Sequence, residues 1–268
     1  MFKGAFPGIN ERKMMMRTGT LLGVAFLLLT SVAIADVKET EEFSFEIDTG
    51  GRVSLENING DIQITGGTGD HVKITAHKKA GNQEYMDELK VVVDASAEYI
   101  RIETKHPNSD SRWFNWGDDG SGSVSYDLTI PGAVNLDTIS TVNGSVEISS
   151  VSGSVKAETV NGDLNVSGLV SNVDLETVNG GITADFDTVG GSQRVSADAV
   201  NGKIVVKLPE DSSARINAET VNGGIKAEDF GLKPEKGFVG RDLDGQIGGG
   251  DARISLDTVN GSIHIRKK

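Results

Sequence analysis

The tripeptide Val-Asn-Gly returns along this chain inside a longer pattern, and this repetition constrains the fold more than any other feature. Seven copies are present, one of them as Ile-Asn-Gly, and their asparagines are Asn59, Asn143, Asn161, Asn179, Asn201, Asn222 and Asn260. A repeat fold uses its residues for architecture. The repeat therefore predicts the shape of the molecule well and its chemistry poorly.

Each copy extends over twelve residues. The shared order is an aliphatic residue, any residue, Ala or Leu, an acid, Thr or a substitute, Val or Ile, Asn, Gly, any residue, an aliphatic residue, any residue, and Val, Ile or Ala. Six segments follow it, namely 53–64, 155–166, 173–184, 195–206, 216–227 and 254–265. A seventh, 137–148, has Asp137 at the aliphatic position and Ser140 at the acidic position, and is a degenerate copy.

Alternation within a copy predicts strands. Val155, Ala157 and Thr159 alternate with Lys156 and Glu158, and the alternation resumes after the Asn-Gly pair. A period of two is typical of half-buried strands, here one on each side of a tight turn. Asn and Gly suit this turn because both tolerate positive φ angles.

Two architectures can use such a unit. In an antiparallel meander or barrel, each Asn-Gly is the tip of a hairpin. In a β-solenoid, each copy is one coil, and equivalent residues stack about 4.8 Å apart.

The spacing between copies favours the solenoid. From Asn143 onward the asparagines are separated by 18, 18, 22, 21 and 38 residues, and all of this variation falls between copies. Insertions that leave a stack from a single face produce this pattern. The longest insertion, 228–253, is rich in glycine and is predicted to be a surface loop. We expect an all-β, single-domain β-solenoid with coils of about 18–22 residues.

Residues 36–268 form the predicted domain, with an irregular part at 36–130 and regular coils at 131–268. Strands are predicted near Phe43 to Ile47, 72–76, 90–94, 99–104 and 124–130, with one short helix at 83–89. The irregular part is expected to cap one end of the stack.

Residues 1–35 have the pattern of an export signal. Basic residues precede an apolar stretch from Leu21 to Leu29, which is followed by Ala33-Ile34-Ala35. We predict cleavage between Ala35 and Asp36. The apolar stretch is shorter than the ~20 residues that span a bilayer. We therefore expect a periplasmic or secreted protein without a stable membrane anchor after cleavage.

Charge limits the partners. The first 35 residues carry four basic residues and one acidic residue, so their removal changes the net charge from −13 to −16. Such a surface disfavours nucleic acid and anionic membranes as partners. The chain has no cysteine, so disulfides do not support its fold.

Few residues point to catalysis. The four histidines, His71, His77, His106 and His264, stand at unrelated repeat positions. With no cysteine, neither a thiol nucleophile nor a zinc cluster is indicated, and we expect no cofactor and no metal. Residues Arg194, Arg215 and Arg253 share no clear repeat position with unpaired acids.

The acidic position of the repeat predicts a ladder of carboxylates. Its members are Glu56, Glu158, Glu176, Asp198, Glu219 and Asp257. A solvated acidic stripe that prevents edge aggregation is favoured over a bridge of divalent cations.

One aromatic segment is a candidate ligand-binding site. Both tryptophans of the chain lie in Arg112 to Trp116, inside a polar stretch. Exposed rings of Trp113, Phe114 and Trp116 could stack on a sugar or on an apolar patch of a protein. The alternative is that the rings fold back and plug the core.

Two stretches carry a resemblance to a known family. Tyr126 to Pro131 leads into Asn135 to Asp137 and then Thr141 to Gly144, and the same arrangement returns at Leu208-Pro209 followed by 214–223. The chain resembles the bacterial β-strand-repeat proteins of unknown function labelled putative adhesins, from about Asp36 to its C-terminus. The resemblance implies an exported, right-handed solenoid-like protein of the bacterial envelope, with no catalytic residues to carry over.

These observations favour a non-enzymatic envelope protein that acts as a scaffold or binding module for a protein or glycan. The oligomeric state is left open. One alternative is a polysaccharide-acting β-helix enzyme, which would need acids, or an Arg and a Lys, gathered in one groove. Another is a component that senses envelope stress.

Overall fold

The structure is a computed structural model that describes residues 36–107, 122–237 and 240–268. The predicted export signal therefore lies outside the described residues. Strands dominate the part of the chain that is described, and the expectation of an all-β protein is confirmed.

The strands fall into two groups along the chain. Before the corner at Asn161 they are β1 (Val37–Glu46), β2 (Arg52–Glu56), β3 (Ile62–Gly67), β4 (His71–Ala80), β5 (Lys90–Ala95), β6 (Tyr99–Lys105), β7 (Gly122–Pro131), β8 (Asn135–Asn143) and β9 (Val146–Ser149). From Val155 they are β10 (Val155–Asn161), β11 (Leu164–Leu169), β12 (Val173–Asn179), β13 (Ile182–Phe186), β14 (Arg194–Asn201), β15 (Ile204–Leu208), β16 (Ala214–Asn222), β17 (Ile225–Lys226), β18 (Glu235–Lys236), β19 (Arg241–Ile247), β20 (Ala252–Asn260) and β21 (Ile263–Lys267).

Two large sheets contain all of these strands. The eleven-stranded sheet has the order β18-β19-β16-β20-β14-β12-β10-β8-β2-β6-β5. The ten-stranded sheet has the order β1-β4-β7-β3-β9-β11-β13-β15-β21-β17. Each repeat copy gives its first strand to the eleven-stranded sheet and its second strand to the ten-stranded sheet.

Equivalent residues of neighbouring copies pair in register. Between β10 and β12, for example, Val155 pairs with Val173 and Asn161 pairs with Asn179, and the strands are parallel. The strands on the two sides of an Asn-Gly pair lie in different sheets and do not pair with each other. The hairpin alternative is therefore wrong, because it required those two strands to form one antiparallel ribbon.

The core lies between the two sheets. Alternate residues of most repeat strands are buried, as in β10, where Val155, Ala157 and Thr159 point inward. Leu164 and Val166 of β11 are buried in the same hydrophobic cluster, which extends through both sheets. The period of two in the sequence therefore reports this one-sided burial.

The degenerate copy contains a β-bulge. The register between β8 and β10 shifts so that Val155 pairs with Leu136 while Ala157 pairs with Ile139. One extra residue thus lies in β8, and Leu136 rather than Asp137 occupies the aliphatic position. Bulges of this kind leave the extra residue out of the ladder.

The N-terminal part adds antiparallel strands at one end of the stack. Strands β1, β4 and β7 pair antiparallel beside β3, and β5 pairs antiparallel with β6. The predicted short helix is α1 (Gln83–Glu88). It begins after Asn82, whose side-chain oxygen accepts a hydrogen bond from the backbone N–H of Tyr85 at 2.7 Å.

At the other end, the copies do not stack in chain order. Strand β20 lies between β14 and β16, and β21 lies between β15 and β17. The chain therefore skips one position after β15 and fills it with its last copy. The insertion 228–253, predicted to be a surface loop, instead contains a 3₁₀ helix (Glu228–Phe230), β18 and β19. Because β19 pairs antiparallel with β16, it covers the edge of the eleven-stranded sheet.

Candidate functional site

The Asn-Gly pair of each copy, called the corner here, is held by a ladder of side-chain amides. Each corner asparagine after Asn59 donates a hydrogen bond from Nδ2 to the Oδ1 of an adjacent one, at distances of 2.8 to 3.0 Å. The spatial order is Asn59, Asn143, Asn161, Asn179, Asn201, Asn260 and Asn222. In-register stacking makes such ladders possible because identical side chains meet at the strand spacing.

The corner glycines are required for close backbone approach. A Cβ built on Gly180 would lie 1.8 Å from the carbonyl oxygen of Gly162, and one on Gly202 would lie 1.6 Å from that of Gly180. Apart from Gly60, with a φ of +126°, the corner glycines have no positive φ, and neither do the corner asparagines. The explanation of the corner by positive φ angles is therefore wrong for six copies.

The repeat threonine also belongs to the corner. The hydroxyl of Thr159 donates to the carbonyl oxygen of Gly144 at 2.9 Å, and that of Thr177 donates to Gly162 at 3.1 Å. Both side chains are buried. The shared asparagine, threonine and glycine are thus bonded to adjacent copies, so a ligand would have to contact other side chains, namely those on the outer faces of the sheets.

The outer face of the eleven-stranded sheet carries columns of equivalent side chains. The aliphatic column is Ile58, Val142, Val160, Val178, Val200, Val259 and Val221. The acidic column is Glu56, Ser140, Glu158, Glu176, Asp198, Asp257 and Glu219. Both lists follow the spatial order of the strands.

The aliphatic column is exposed along its whole length. Its relative exposures run from 38% for Val142 to 44% for Val221. Seven strands about 4.8 Å apart make a column roughly 29 Å long. Scattered exposed aliphatic residues are ordinary, whereas a contiguous apolar patch marks an interaction surface.

The acidic column is partly compensated by one lysine in its middle part, whereas its three carboxylates near β16 form no ion pair among the described residues. The Lys156 ammonium lies 3.0 Å from Glu158, 2.9 Å from Asp174 and 3.7 Å from Glu176. Hydrogen bonds to Asp174 and Glu158 raise the pKa of Lys156 above its ordinary value. The predicted ladder of carboxylates is present in register from Glu158 to Glu219, and Ser140 of the degenerate copy separates it from Glu56.

At the β16 end, Asp198, Asp257 and Glu219 stand in register on three neighbouring strands. Burial raises the pKa of Asp257, and the carboxylates of Asp198 and Glu219 raise it further. The Ser255 hydroxyl donates to Asp257 at 3.1 Å and acts in the opposite direction. Among the described residues, no group of three His, Cys, Asp or Glu side chains is arranged to hold a metal ion.

Three arginines form a second ladder on the same face. Arg194 pairs in register with Arg253, and Arg253 pairs with Arg215. All three precede the first aliphatic residue of their copies, so they do share a repeat position. This arrangement is not apparent from the order of the residues, because Arg253 lies between the other two in space but after both in the chain. We call these residues the arginine ladder.

The arginine ladder has no carboxylate partner within the described residues. Arg52 occupies the same repeat position at the other end of the sheet, where its guanidinium lies 3.2 Å from Asp137 and 5.3 Å from the ring centre of Tyr99. No ion pair of Arg194, Arg253 or Arg215 is found in the same part of the chain.

The ladder lines an open groove of about 900 Å³ on the outer face. Its other polar lining residues include Lys156, Asp174 and Asn172. Asp137 lines the groove as well and pairs with Arg52, and Lys156 pairs with Asp174 and Glu158. The three arginines are therefore the charged lining residues that form no ion pair within the described part of the chain.

A family model matches residues 118–266, which is more than half of the chain. The chain belongs to the Toastrack DUF4097 family. The matched Toastrack region contains the six corners from Asn143 to Asn260, together with the arginine ladder. The expected membership of a family of β-strand-repeat proteins of unknown function is confirmed.

Among solved structures, this Toastrack chain is similar to proteins of low sequence identity. A putative cell adhesion protein from Clostridium sporogenes is 14% identical with a TM-score of 0.45, and the alignment covers 85% of this chain and 100% of that one. A putative adhesin from Bacteroides fragilis is 12% identical with a TM-score of 0.38, covering 85% and 97%. A putative lipid binding protein from Parabacteroides distasonis is 13% identical with a TM-score of 0.32, covering 85% and 96%. No curated protein matches the chain.

The aromatic candidates Trp113, Phe114 and Trp116 of this Toastrack chain lie outside the described residues. Their role as a stacking surface stays a prediction. None of the helices in residues 36–107, 122–237 and 240–268 is both long and apolar enough to span a lipid bilayer.

A second polar cluster lies among the antiparallel strands at the N-terminal end. Lys78 is only 4% exposed, and its ammonium lies 3.3 Å from Glu39 and 2.9 Å from Glu41. Burial raises the pKa of Tyr126 to about 12, and its hydroxyl lies 2.6 Å from that of Thr104. Lys78 is paired with the two glutamates, and the Tyr126 hydroxyl is hydrogen-bonded to Thr104. A tyrosine with this pKa keeps its proton at neutral pH.

Proposed function

We propose that this chain is a non-enzymatic, exported protein of the bacterial cell envelope that binds an envelope protein or glycan through the outer face of the eleven-stranded sheet. In this proposal, residues 36–268 form a single right-handed solenoid domain after cleavage of residues 1–35. The stacked sheets act as a rigid scaffold that presents side chains at fixed spacing.

The aliphatic column carries this proposal. Its seven side chains lie on neighbouring strands, and each is more than a third exposed. The amide ladder holds the adjacent corner of every one of those strands. A surface that is already ordered loses little conformational entropy when a partner docks, which favours binding.

The charges beside the column support binding rather than catalysis. Proton abstraction needs a base whose pKa lies near the working pH. Lys156 is held protonated by Asp174 and Glu158, and arginine stays charged in proteins. The groove therefore offers cations for recognition but no base among these residues.

The test compares two valines of nearly equal exposure. Val178 lies in the middle of the aliphatic column and is 39% exposed, whereas Val170 lies outside the column and is 38% exposed. The parent chain and the Val178→Lys and Val170→Lys variants are immobilised and exposed to envelope extract, and bound proteins and glycans are quantified.

We expect Val178→Lys to reduce partner retention at least tenfold and Val170→Lys to leave it unchanged, because only the first places a charge in the apolar contact. Equal retention by both variants would refute the aliphatic column as the binding surface. The exported protein should begin at Asp36 when its N-terminus is sequenced.

A polysaccharide-acting enzyme is the second candidate, and one observation favours it. One groove is lined by the three arginines of the ladder together with Lys156 and Asp174. Such an enzyme needs charged residues gathered in this way. The same assay separates the two functions. Release of new glycan ends from the extract by the parent chain, without stable retention of a partner, would establish the enzyme instead.

A further inference from the structure

We propose that the arginine ladder binds a compact anion that carries two or more phosphoryl or sulphate groups. The site goes beyond the proposed function because it uses different residues from the aliphatic column. It is tested with defined probes rather than with an unidentified partner, so either proposal can fail without the other.

The spacing of the ladder selects the ligand. In-register parallel strands place equivalent residues about 4.8 Å apart, so the three guanidinium groups start from backbone positions that span roughly 10 Å. Guanidinium binds phosphate and sulphate oxygens with two parallel hydrogen bonds. Two or three neighbouring oxyanion groups would engage this row, whereas a single one would leave part of it unused.

The surroundings leave the ladder open to an anion. Its in-register neighbours are neutral, since Gln246 pairs with Arg215 on one side and the Asn172 side chain accepts a hydrogen bond from the backbone N–H of Arg194 on the other. Three carboxylates lie one position further away, namely Asp174, Asp244 and Asp251, and none of them forms an ion pair with the ladder. Asp174 is bound by Lys156, and Asp251 accepts a hydrogen bond from the Ser213 hydroxyl. Ser196 and Ser255 stand two residues further along the strands, and their hydroxyls donate to Asp198 and Asp257. These serines hold the nearest carboxylates of their own strands rather than bringing them to the arginines.

Electrostatic cost gives the strongest argument. Adjacent like charges at this spacing repel by roughly 1 kcal/mol in water. The chain has 39 acidic residues, yet the described ones form no ion pair with the ladder. Arg52, at the same repeat position, does have a carboxylate partner in Asp137. A bound polyanion would neutralise the three arginines and so remove the repulsion between them.

The acidic column limits the size of the ligand. It lies four residues further along each of the three strands, about 13 Å from the arginines on the same face. A long polyanion that extended from the arginines along the strands would meet Asp198, Asp257 and Glu219. The net charge of −13 also opposes an extended anionic partner. The site therefore suits a short cluster of charges.

Calorimetry with inorganic tripolyphosphate, orthophosphate and vesicles of cardiolipin, a lipid whose headgroup carries two phosphates, tests the proposal. The variants are Arg253→Gln, which removes the middle of the ladder, and Arg52→Gln, which removes the same charge from the same repeat position elsewhere. Arg215→Gln serves as a second ladder variant should Arg253→Gln fail to fold. Circular dichroism confirms folding.

We expect the parent chain to bind tripolyphosphate at least tenfold more tightly than orthophosphate. Arg253→Gln and Arg215→Gln should each weaken tripolyphosphate binding at least tenfold, and Arg52→Gln should not change it. Binding to vesicles that is lost in Arg253→Gln would identify a lipid headgroup as the source of the phosphoryl groups. Binding to the soluble probe alone would identify a soluble ligand.

Three results would overturn the proposal. The first is an absence of binding to both tripolyphosphate and vesicles. The second is equal affinity for tripolyphosphate and orthophosphate, since a row of arginines would then confer no advantage. The third is equal loss of affinity in Arg253→Gln and Arg52→Gln, which would indicate a general effect of charge rather than a site.

Discussion

The two ends of the repeat strands in the eleven-stranded sheet differ in how their polar groups are used. At the corner end, the copies are nearly identical, and each asparagine, threonine and glycine contacts the next copy. At the opposite end, the equivalent position is held by arginine, asparagine or serine in different copies. Three of the arginines stand there in a row without a carboxylate partner among the described residues.

Within one repeat, the residues at the corner stabilise the stack, whereas residues at the opposite end are available to bind a partner. The corner residues are shared because they act on one another through the stack, and a change in one copy disturbs the next. At the opposite end, the Asn135 and Asn172 side chains also accept hydrogen bonds from an adjacent copy, whereas the side chains of the arginine ladder form no hydrogen bond among the described residues. Among the polar positions of this repeat, those that vary between copies are therefore the better candidates for binding, beside the exposed aliphatic column that all copies share.

A corner glycine should show the largest effect on stability. In Gly180→Ala, the new Cβ would lie 1.8 Å from the carbonyl oxygen of Gly162. That oxygen belongs to the backbone, so rotation of a side chain cannot relieve the clash. We expect a loss of about 3 kcal/mol or more in the free energy of unfolding, because the copies would have to separate. Urea denaturation measures it.

Gly224→Ala is the matched control, since a Cβ there meets nothing within 4 Å. It should change the free energy of unfolding by no more than about 0.5 kcal/mol. If the two variants were equally stable, close backbone approach would not be the reason for glycine at the corner. Close packing of backbone atoms would then not distinguish the corner end of the strands from the arginine end.

The arginine end should respond with the opposite sign. Arg253→Gln removes the middle charge of an unpaired row, so we expect the chain to become more stable by up to about 1 kcal/mol at low salt. Arg52→Gln removes a paired charge and should reduce stability by up to about 1 kcal/mol. Thermal melting at low and high ionic strength checks both, and screening by salt should shrink each difference.

A lower stability of Arg253→Gln at low salt would contradict this comparison, because it would mean that the ladder contributes to the fold.

The smallest effect is expected at Asp257, between the two ends. Its folded-state pKa is raised, so the folded protein binds more protons than the unfolded chain as the pH passes from the usual carboxyl value up to the raised one. The parent chain should therefore lose stability relative to Asp257→Asn as the pH rises through that window. Melting curves at pH 3 and pH 7 measure the difference.

We expect the two proteins to have closer melting temperatures at pH 3 than at pH 7, with the variant the more stable at pH 7. A variant that is relatively less stable at pH 7 than at pH 3 would show that burial does not oppose the charge of Asp257.

Much of the local structure could be predicted from the residues alone. The alternation of Val155, Ala157 and Thr159 indicated strands with one buried face, and the structure has β10 with that pattern. The constant length of the copies indicated in-register stacking, which the pairing of Asn161 with Asn179 confirms. The reason for the corner was missed, because the contact that excludes a Cβ involves a neighbouring copy.

The repeat by itself determined that the chain forms all-β copies with a buried alternate face, since burial of every second side chain follows directly from the period of two. Only the tertiary structure decided which copies are neighbours. Copies with the same twelve-residue pattern can pair with one another equally well, so distance along the chain does not select the partner. For that reason the last copy lies between two earlier ones, and the arginine ladder that it completes with Arg253 exists only in three dimensions.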